Sequence, residues 1–318
     1  MEGISRAFKA HRLNQWQAWL ERVVVWGGAI CTGLLVVAFA RFSDWGGEVF
    51  SQARSHLGWA AALCTPVAGM LIVAIKLRWF QGSEGSGIPQ TIAALQPDAG
   101  PEVAGRFLSF RVACGKFFLG GLALASGFSV GREGPSVQIG ASIMYGFRRL
   151  LPAGNVIQSR DMILAGGAAG IAAAFNTPLA GIVFAIEELS RRFEQRASGV
   201  LLTAIVLSGL VSISLQGNYL YFGHLTVSMI DFRIIAPLLT CGLVCGVLGG
   251  STSRVLLYST RPWSGVTGRL RQGRPVVFAG CCGLAVAALG LLTEGSINGS
   301  GYQITRGMLS GQEDVAWY

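Results

Sequence analysis

The stretch Met162–Ile–Leu–Ala–Gly–Gly–Ala–Ala–Gly–Ile–Ala–Ala–Ala–Phe–Asn–Thr–Pro–Leu–Ala–Gly–Ile–Val–Phe–Ala–Ile186 contains 25 residues and no charged side chain. An α-helix needs about 20 mainly apolar residues to cross a hydrocarbon core of about 30 Å. Similar uncharged runs occupy Val23–Ala40, Ile234–Ser253 and Pro275–Thr293. Because several segments meet this length, one cleaved signal peptide does not explain the pattern.

The composition of the whole chain supports the same conclusion. Hydrophobic residues make up 52% and charged residues 13% of the sequence, against about 25% charged residues in soluble domains. Buried helices of a soluble core are excluded, because too few polar faces remain to meet water. The sequence therefore predicts an all-α integral membrane protein with several spans, surrounded by a lipid bilayer.

The net charge of +9 raises the question of a nucleic-acid partner. The basic residues, however, cluster at the ends of apolar segments, as in the run Arg269, Arg271 and Arg274. This distribution is typical of loops that face anionic headgroups. The sequence also lacks the aromatic and basic platform that single-stranded nucleic acid requires, so we expect no nucleic-acid partner.

The order of segments predicts one domain. Residues 1–21 alternate apolar and basic side chains, which is typical of an amphipathic helix on the membrane surface. Spans are predicted at residues 22–41, 57–77, 197–216, 232–258 and 275–293. Between the second and third of these, shorter helices are predicted, and glycines and prolines interrupt them.

Two of these interruptions predict an anion site. Gly85–Ser–Gly–Ile–Pro89 and Gly131–Arg–Glu–Gly–Pro135 each place glycines before a proline that fits the first turn of a helix. Irregular backbone at membrane depth is tolerated only beside protein or a water-filled cavity, and helix starts attract anions. Two broken helices of this kind indicate the binding site of a transporter. The anion-binding candidates are Ser86, Gly87, Ile88, Pro89, Arg132, Glu133 and Gly134.

For two of these candidates, a purely structural role is an alternative to anion binding. Ser86 offers a hydroxyl donor to a halide, but a serine before a helix is also a common N-cap. Glu133 is a carboxylate in an apolar region, which is costly and functional by default. At a helix start, the Glu133 carboxylate would compete with an anion for the same position. Protonation of Glu133 would remove this competition, so anion access would depend on pH. The alternative is a structural ion pair between Glu133 and Arg132.

Three further charged residues stand out. Glu187 and Glu188 follow the uncharged run at the end of a helix, where adjacent side chains point about 100° apart. One of them is expected to face inward and the other a headgroup, although a solvated helix end explains both. Lys116 lies inside an apolar segment. It is either a side chain that extends to the interface or a fixed positive potential that attracts anions.

The other motifs in the sequence are weak. The seven cysteines lie in or beside apolar segments and lack zinc-site spacing. Gly115–Lys116 has neither the upstream glycine nor the Ser/Thr of a phosphate loop, and no Ser/His/Asp arrangement can be identified. We therefore expect no enzyme activity, no metal and no cofactor.

Taken together, these motifs resemble the CLC family of chloride channels and chloride/proton antiporters. The resemblance rests on Gly85–Pro89, on Gly131–Gly140, and on Ala172–Ala–Ala–Phe–Asn–Thr–Pro–Leu–Ala–Gly181 leading to Glu187–Glu188, in the family's order. It implies broken and tilted helices in two inverted halves, and a homodimer in the bacterial inner membrane with cytoplasmic termini.

The resemblance also implies roles for individual residues. Ser86 would hold chloride at the central site, and Glu133 would block the anion path and carry protons from the outer side. Glu188 would transfer protons on the inner side, and Lys116 would make the pathway positive. Chloride and protons are then the transported partners.

One departure from the family is expected. The chain lacks the later Gly-x-Phe-x-Pro helix start that completes the family's anion site and stops at Tyr318. The sequence thus predicts a C-terminally incomplete CLC-type domain over residues 1–318, with the first half at residues 22–216 and the start of the second at 232–318. Chloride/proton antiport is the favoured function. A passive voltage-gated-type chloride channel, a non-transporting truncated fragment and a transporter of another small anion are the alternatives.

Overall fold

The computed structural model describes residues 2–155, 157–190, 198–218, 220, 223 and 231–311, and their side chains from Trp16 onward except that of Ser198. Within these ranges the chain is helical, with a single bridge between Ser129 and Gly299. The helices are α1 (Glu2–Leu57), α2 (Cys64–Trp79), α3 (Ile88–Ala94), α4 (Pro101–Phe107), α5 (Phe110–Ala125), α6 (Glu133–Phe147), α7 (Ser159–Ala174), α8 (Pro178–Phe184), α9 (Ser198–Gln216), α10 (Ile235–Thr260), α11 (Gly265–Gly273), α12 (Pro275–Leu292) and α13 (Tyr302–Ser310).

The all-α membrane fold predicted from the sequence is confirmed. Five helical segments are long and apolar enough to cross a bilayer, namely Trp16–Trp79, Pro101–Ala125, Gly199–Gln216, Phe232–Thr260 and Pro275–Leu292. The N-terminal segment differs in detail, because α1 continues without a break through residue 21 into the first span. The surface position predicted for residues 1–21 stays a prediction, and Met1 and the side chains of residues 2–15 lie outside the described part.

The core is centred on α6 and α7, which pack against each other and against α1, and α7 also packs against α9. Most residues of both helices are buried, as expected of helices enclosed by protein. Glycines allow the two backbones to approach. A Cβ added to Gly140 would collide with the carbonyl oxygen of Gly166, and a Cβ on Gly170 with that of Ser136.

The predicted helix breaks are present. The chain reaches α3 through Gly87, whose φ of +115° suits glycine. Asn176, at φ +56°, turns the chain between α7 and α8. The helix expected to continue from Leu179 to about residue 191 is α-helical only to Phe184 and then forms a π-helical turn over Ala185–Ser190. The sequence analysis missed the short helices α4, α11 and α13.

The C-terminal helices are joined to this core at few places. Gly283 of α12 lies against Pro66 of α2, where a Cβ would come within 2.6 Å of the proline Cα. No residue of α10 is buried among the described residues, and a Cβ on Gly242, Gly246 or Gly250 would meet nothing within 4 Å. The small-xxx-small spacing of these glycines in the sequence predicts close helix packing. The structure shows such packing at Gly166 and Gly170, which have the same spacing, but not at these three glycines among the described residues.

Candidate anion site at two helix starts

The loop before α3 lies directly on the first turn of α6. A Cβ added to Gly134 would contact the hydroxyl of Ser86 and lie 2.7 Å from its carbonyl oxygen, and a Cβ on Gly87 would lie 2.6 Å from the carbonyl oxygen of Gly134. Only glycine permits this approach at both positions. The structure thus brings Ser86 against the residue that follows Glu133, and Glu133 is half-buried as the first residue of α6.

The N-cap of α3 is Gly87, not Ser86. The alternative in which Ser86 serves as an ordinary N-cap is therefore not supported. The Ser86 side chain is exposed at this surface of the described structure. Ile88 is half-buried at the first position of α3, and Pro89 is exposed in its first turn.

Lys116 supplies a positive charge to the same loop. It lies in α5 with only 5% of its surface exposed, and its ammonium donates a hydrogen bond to the carbonyl oxygen of Gly85. The side chain therefore does not extend to the interface, which was one of the two interpretations of the sequence. Because Gly85 precedes Ser86, this bond places the positive charge one residue from Ser86. A charge-assisted bond of this kind is stronger than a neutral one.

Gln90 holds the loop from within. Its amide oxygen accepts the N–H of Gly87 at 2.9 Å, and its amide nitrogen donates to the carbonyl oxygen of Glu84 at 2.6 Å. The N–H of Gly87, predicted to bind an anion, is thus already paired, and an anion would have to compete with Gln90 for it. The role of Gly87 that the structure supports is conformational.

Arg132 has partners that the sequence did not suggest. Its Nη1 lies 2.8 Å from both carboxylate oxygens of Asp44 in α1, and its guanidinium lies 5.5 Å from the ring centroid of Tyr302. The residue is 5% exposed. Asp44 was missed because it lies 88 positions away along the chain, and nothing in the sequence around it indicates a partner at that distance. The guanidinium of Arg132 is thus held by α1, and the alternative of a structural ion pair with Glu133 is not needed to explain its burial.

Glu187 and Glu188 lie in the π-helical turn after α8, and both side chains are exposed. The expectation that one of them faces inward is therefore not met in the described structure. The turn itself is anchored by the buried Leu189, which lies against α7 beside Gly167. The inner proton-transfer role of Glu188 stays a prediction.

Gln138 is a site residue that the sequence analysis quoted only as part of a motif. It is fully buried in α6, and its Nε2 donates to the carbonyl oxygens of Gly82 at 3.1 Å and Phe107 at 2.8 Å. The available signal was an amide inside an otherwise apolar helix, since buried polar side chains require partners.

A cavity of about 660 Å³ lies on the Arg132 side of the start of α6 and does not include Ser86. Acidic and basic side chains line this cavity, together with the turn between α12 and α13. The charged lining residues are Asp44, Glu48, Arg54, Arg132 and Glu294. Within the described ranges, no group of three or more His, Cys, Asp or Glu residues could hold a metal ion, and all seven cysteines are free thiols.

Comparison with known proteins gives a consistent picture. A family model described as voltage gated chloride channel matches residues 68–317. The H(+)/Cl(-) exchange transporter ClcA of Yersinia pseudotuberculosis serotype IB is 33% identical over 240 residues, which cover 69% of this chain and 47% of the relative. An uncharacterized chloride channel protein of Schizosaccharomyces pombe is 31% identical over 225 residues, covering 66% of this chain and 32% of that protein.

Two solved structures share the fold. A slow cyanobacterial Cl-/H+ antiporter superposes with a TM-score of 0.73 at 23% identity, covering 92% of this chain and 68% of that one. A CLC-type fluoride/proton antiporter gives a TM-score of 0.72 at 22% identity, covering 93% and 71%. At these identities the likeness concerns the fold alone. The chain spans about half the length of the ClcA relatives it matches.

Proposed function

Because the chain belongs to the voltage gated chloride channel family, we propose that it moves chloride across a membrane in exchange for protons. The proposal is supported by the names of the ClcA relatives. The single observation that carries it is the contact between Ser86 and the first turn of α6, directly beside Glu133. That contact places a neutral hydroxyl donor, a helix start and a titratable carboxylate at one point.

Three sources of positive potential favour an anion there. The first turn of α6 presents the positive end of a 15-residue helix. The buried ammonium of Lys116 lies beside Gly85, and the hydroxyl of Ser86 donates without a full charge. Together they would stabilise a chloride that has lost part of its hydration shell. Ile88, Pro89, Gly134 and the backbone of Arg132 would complete the lining.

Glu133 would couple anion movement to protons. Its carboxylate would occupy the start of α6, where the helix dipole favours negative charge, so the carboxylate and chloride would alternate there. Protonation neutralises Glu133 and removes its attraction to the helix start, which frees the place for the anion. Glu188 would receive or deliver the proton on the inner side.

The remaining assignments follow the relatives. We propose a multi-pass protein of the bacterial inner membrane, assembled as a homodimer, with no cofactor and no enzymatic step. A passive chloride channel is the second candidate. It is favoured by one observation, the exposure of both Glu187 and Glu188, because antiport requires a defined inner proton donor.

The test is a flux measurement in proteoliposomes. The purified protein, in vesicles loaded with chloride, should release chloride and drive proton uptake when chloride is diluted outside. Glu133→Gln should abolish proton movement while chloride flux continues, because the amide cannot titrate. Glu102→Gln is the control, since Glu102 is an exposed glutamate at the start of α4 and should leave both fluxes unchanged.

The possible outcomes separate the candidates. Proton movement that survives Glu133→Gln would exclude Glu133 as the coupling group. Uncoupling by Glu188→Gln supports antiport, and chloride flux without any proton movement in the unaltered protein supports the passive channel. Absence of chloride flux from the folded protein would contradict both and favour the non-transporting alternative.

A further inference from the structure

Gln138 joins α6 to two other elements of the candidate anion site. Its single Nε2 group donates to Gly82, at the start of the loop that carries Ser86, and to Phe107, at the end of α4. The residue is 0% exposed. Both acceptors are backbone carbonyl groups, so the bonds fix backbone position and do not depend on another side chain.

The loop that Gln138 holds has little conformational preference of its own. Gly82, Gly85 and Gly87 adopt φ values of +94°, +71° and +115°, a region that glycine enters freely. Such a backbone needs outside contacts to stay in one conformation. The bond from Lys116 to Gly85 is one such contact, and the bond from Gln138 to Gly82 is another.

The Gln138 side chain also limits how closely the loop can approach α6 at Gly87. The Cβ atom of Gln138 lies 3.0 Å, and its Oε1 3.2 Å, from the position of a Cβ added to Gly87. Oε1 has no hydrogen-bond partner among the described residues. Gln138 therefore bonds the loop at Gly82 and contacts it at Gly87, on both sides of Ser86.

We propose that Gln138 is a positioning residue that sets the distance between the Ser86 hydroxyl and the start of α6, and thereby the anion preference of the site. The second half of this proposal rests on the proposed chloride function. The physical reason is that anions of different radius fit different separations between two donors. A tether that holds one donor against the other therefore selects among them.

The first experiment tests the tether without any transport. Gln138→Leu, which replaces the amide by an apolar side chain of similar size and removes both bonds, should speed amide hydrogen exchange in the peptide covering residues 82–87. We expect roughly a tenfold increase, the factor that corresponds to about 1.4 kcal/mol. Exchange in α7 should stay unchanged. Unchanged exchange at residues 82–87 overturns the proposal, whether or not the protein transports chloride.

The second experiment tests anion preference in the full chain. In proteoliposomes, Gln138→Leu should raise the chloride concentration for half-maximal flux by roughly tenfold and alter the ratio of chloride to bromide and nitrate flux. A lower maximal rate with an unchanged half-maximal chloride concentration and unchanged flux ratios overturns the role in anion preference, because it indicates a folding defect only. If the unaltered protein moves no anion, both the proposed function and the role of Gln138 in anion preference are refuted. The hydrogen-exchange result still tests whether Gln138 holds the loop in place.

Two variants complete the design. Gln96→Leu removes an exposed glutamine that bonds only Ile92 within its own turn, and it should leave exchange and anion preference unchanged. If Gln138→Leu fails to fold, Gln138→Met, with a more flexible side chain, replaces it in both measurements. Equal effects of the Gln96 and Gln138 variants contradict the proposal.

Discussion

At the residue scale, the chemistry of the candidate site could be predicted, but its partners could not. Ser86, Lys116 and Glu133 were identified because a donor, a cation and a carboxylate in apolar segments require explanation. The contacts of Lys116 with Gly85 and of Arg132 with Asp44 depend on which elements fold together. The sequence left Lys116 open between two interpretations, and its burial at the Ser86 loop excludes a side chain that extends to the interface.

Lys116→Met should lower chloride affinity by about tenfold or more, because a charge-assisted hydrogen bond contributes about 1.5–3 kcal/mol and the anion also loses a nearby positive charge. Lys76→Met is the matched control, since Lys76 lies 4.0 Å from the partly exposed Glu84 and such pairs contribute about 0–1 kcal/mol. Chloride titration of flux measures both variants. Equal losses in the two would contradict a special role for Lys116.

At the scale of elements, packing of α6 on α7 is what holds the start of α6 in place. The sequence predicted close helix packing from glycines such as Gly166 and Gly170, and the structure confirms it. It did not predict Gly140 as the contact point on α6. Nor could spacing alone show that the glycines of α10 lack a described neighbour, because a small residue permits a contact without requiring one.

Two glycines of α6 provide a matched pair of variants. Gly140→Ala should destabilise the protein by about 1–3 kcal/mol, because the new methyl group meets the carbonyl oxygen of Gly166 and lies 2.9 Å from Thr32 Cγ2. Gly146→Ala should be neutral or stabilising by up to about 1 kcal/mol, since nothing lies within 4 Å of its Cβ position. Thermal unfolding in detergent compares them. Similar unfolding temperatures for both variants would argue against this packing.

At the scale of the whole molecule, the turn after α12 joins the C-terminal helices to the α5–α6 connection. Asn298 donates to the carbonyl oxygen of Gly127 at 2.5 Å. In the bridge between Ser129 and Gly299, the N–H of Val130 donates to the carbonyl oxygen of Gly299, and the N–H of Gly299 donates to that of Phe128. The ring of Tyr302 lies on the guanidinium of Arg132. These contacts lie near the start of α6, so the C-terminal helices help to shape the same site.

Asn298→Ala should lower stability by about 1–3 kcal/mol, because it leaves the Gly127 carbonyl unpaired in a partly buried position. Trypsin should then cut the α10–α12 connector, after Arg269 or Arg271, faster than in the unaltered protein. Asn155→Ala serves as the control, since the Asn155 side chain donates to Pro152 within its own turn and to no other residue that the structure describes. Unchanged cleavage and unfolding in the Asn298 variant would show that the Asn298–Gly127 bond contributes little to stability.

The sequence by itself determined the membrane fold, the places where helices break and the residue types of the candidate anion site. Hydrophobic length and glycine–proline breaks are local properties, and they follow from the cost of unpaired backbone groups in lipid. Only the tertiary structure decided that Ser86 touches Gly134, that Lys116 points to Gly85, and that Gln138 holds the loop at Gly82. These contacts join residues 31 to 56 positions apart, and such pairs are selected by the packing of whole helices, which no local pattern encodes.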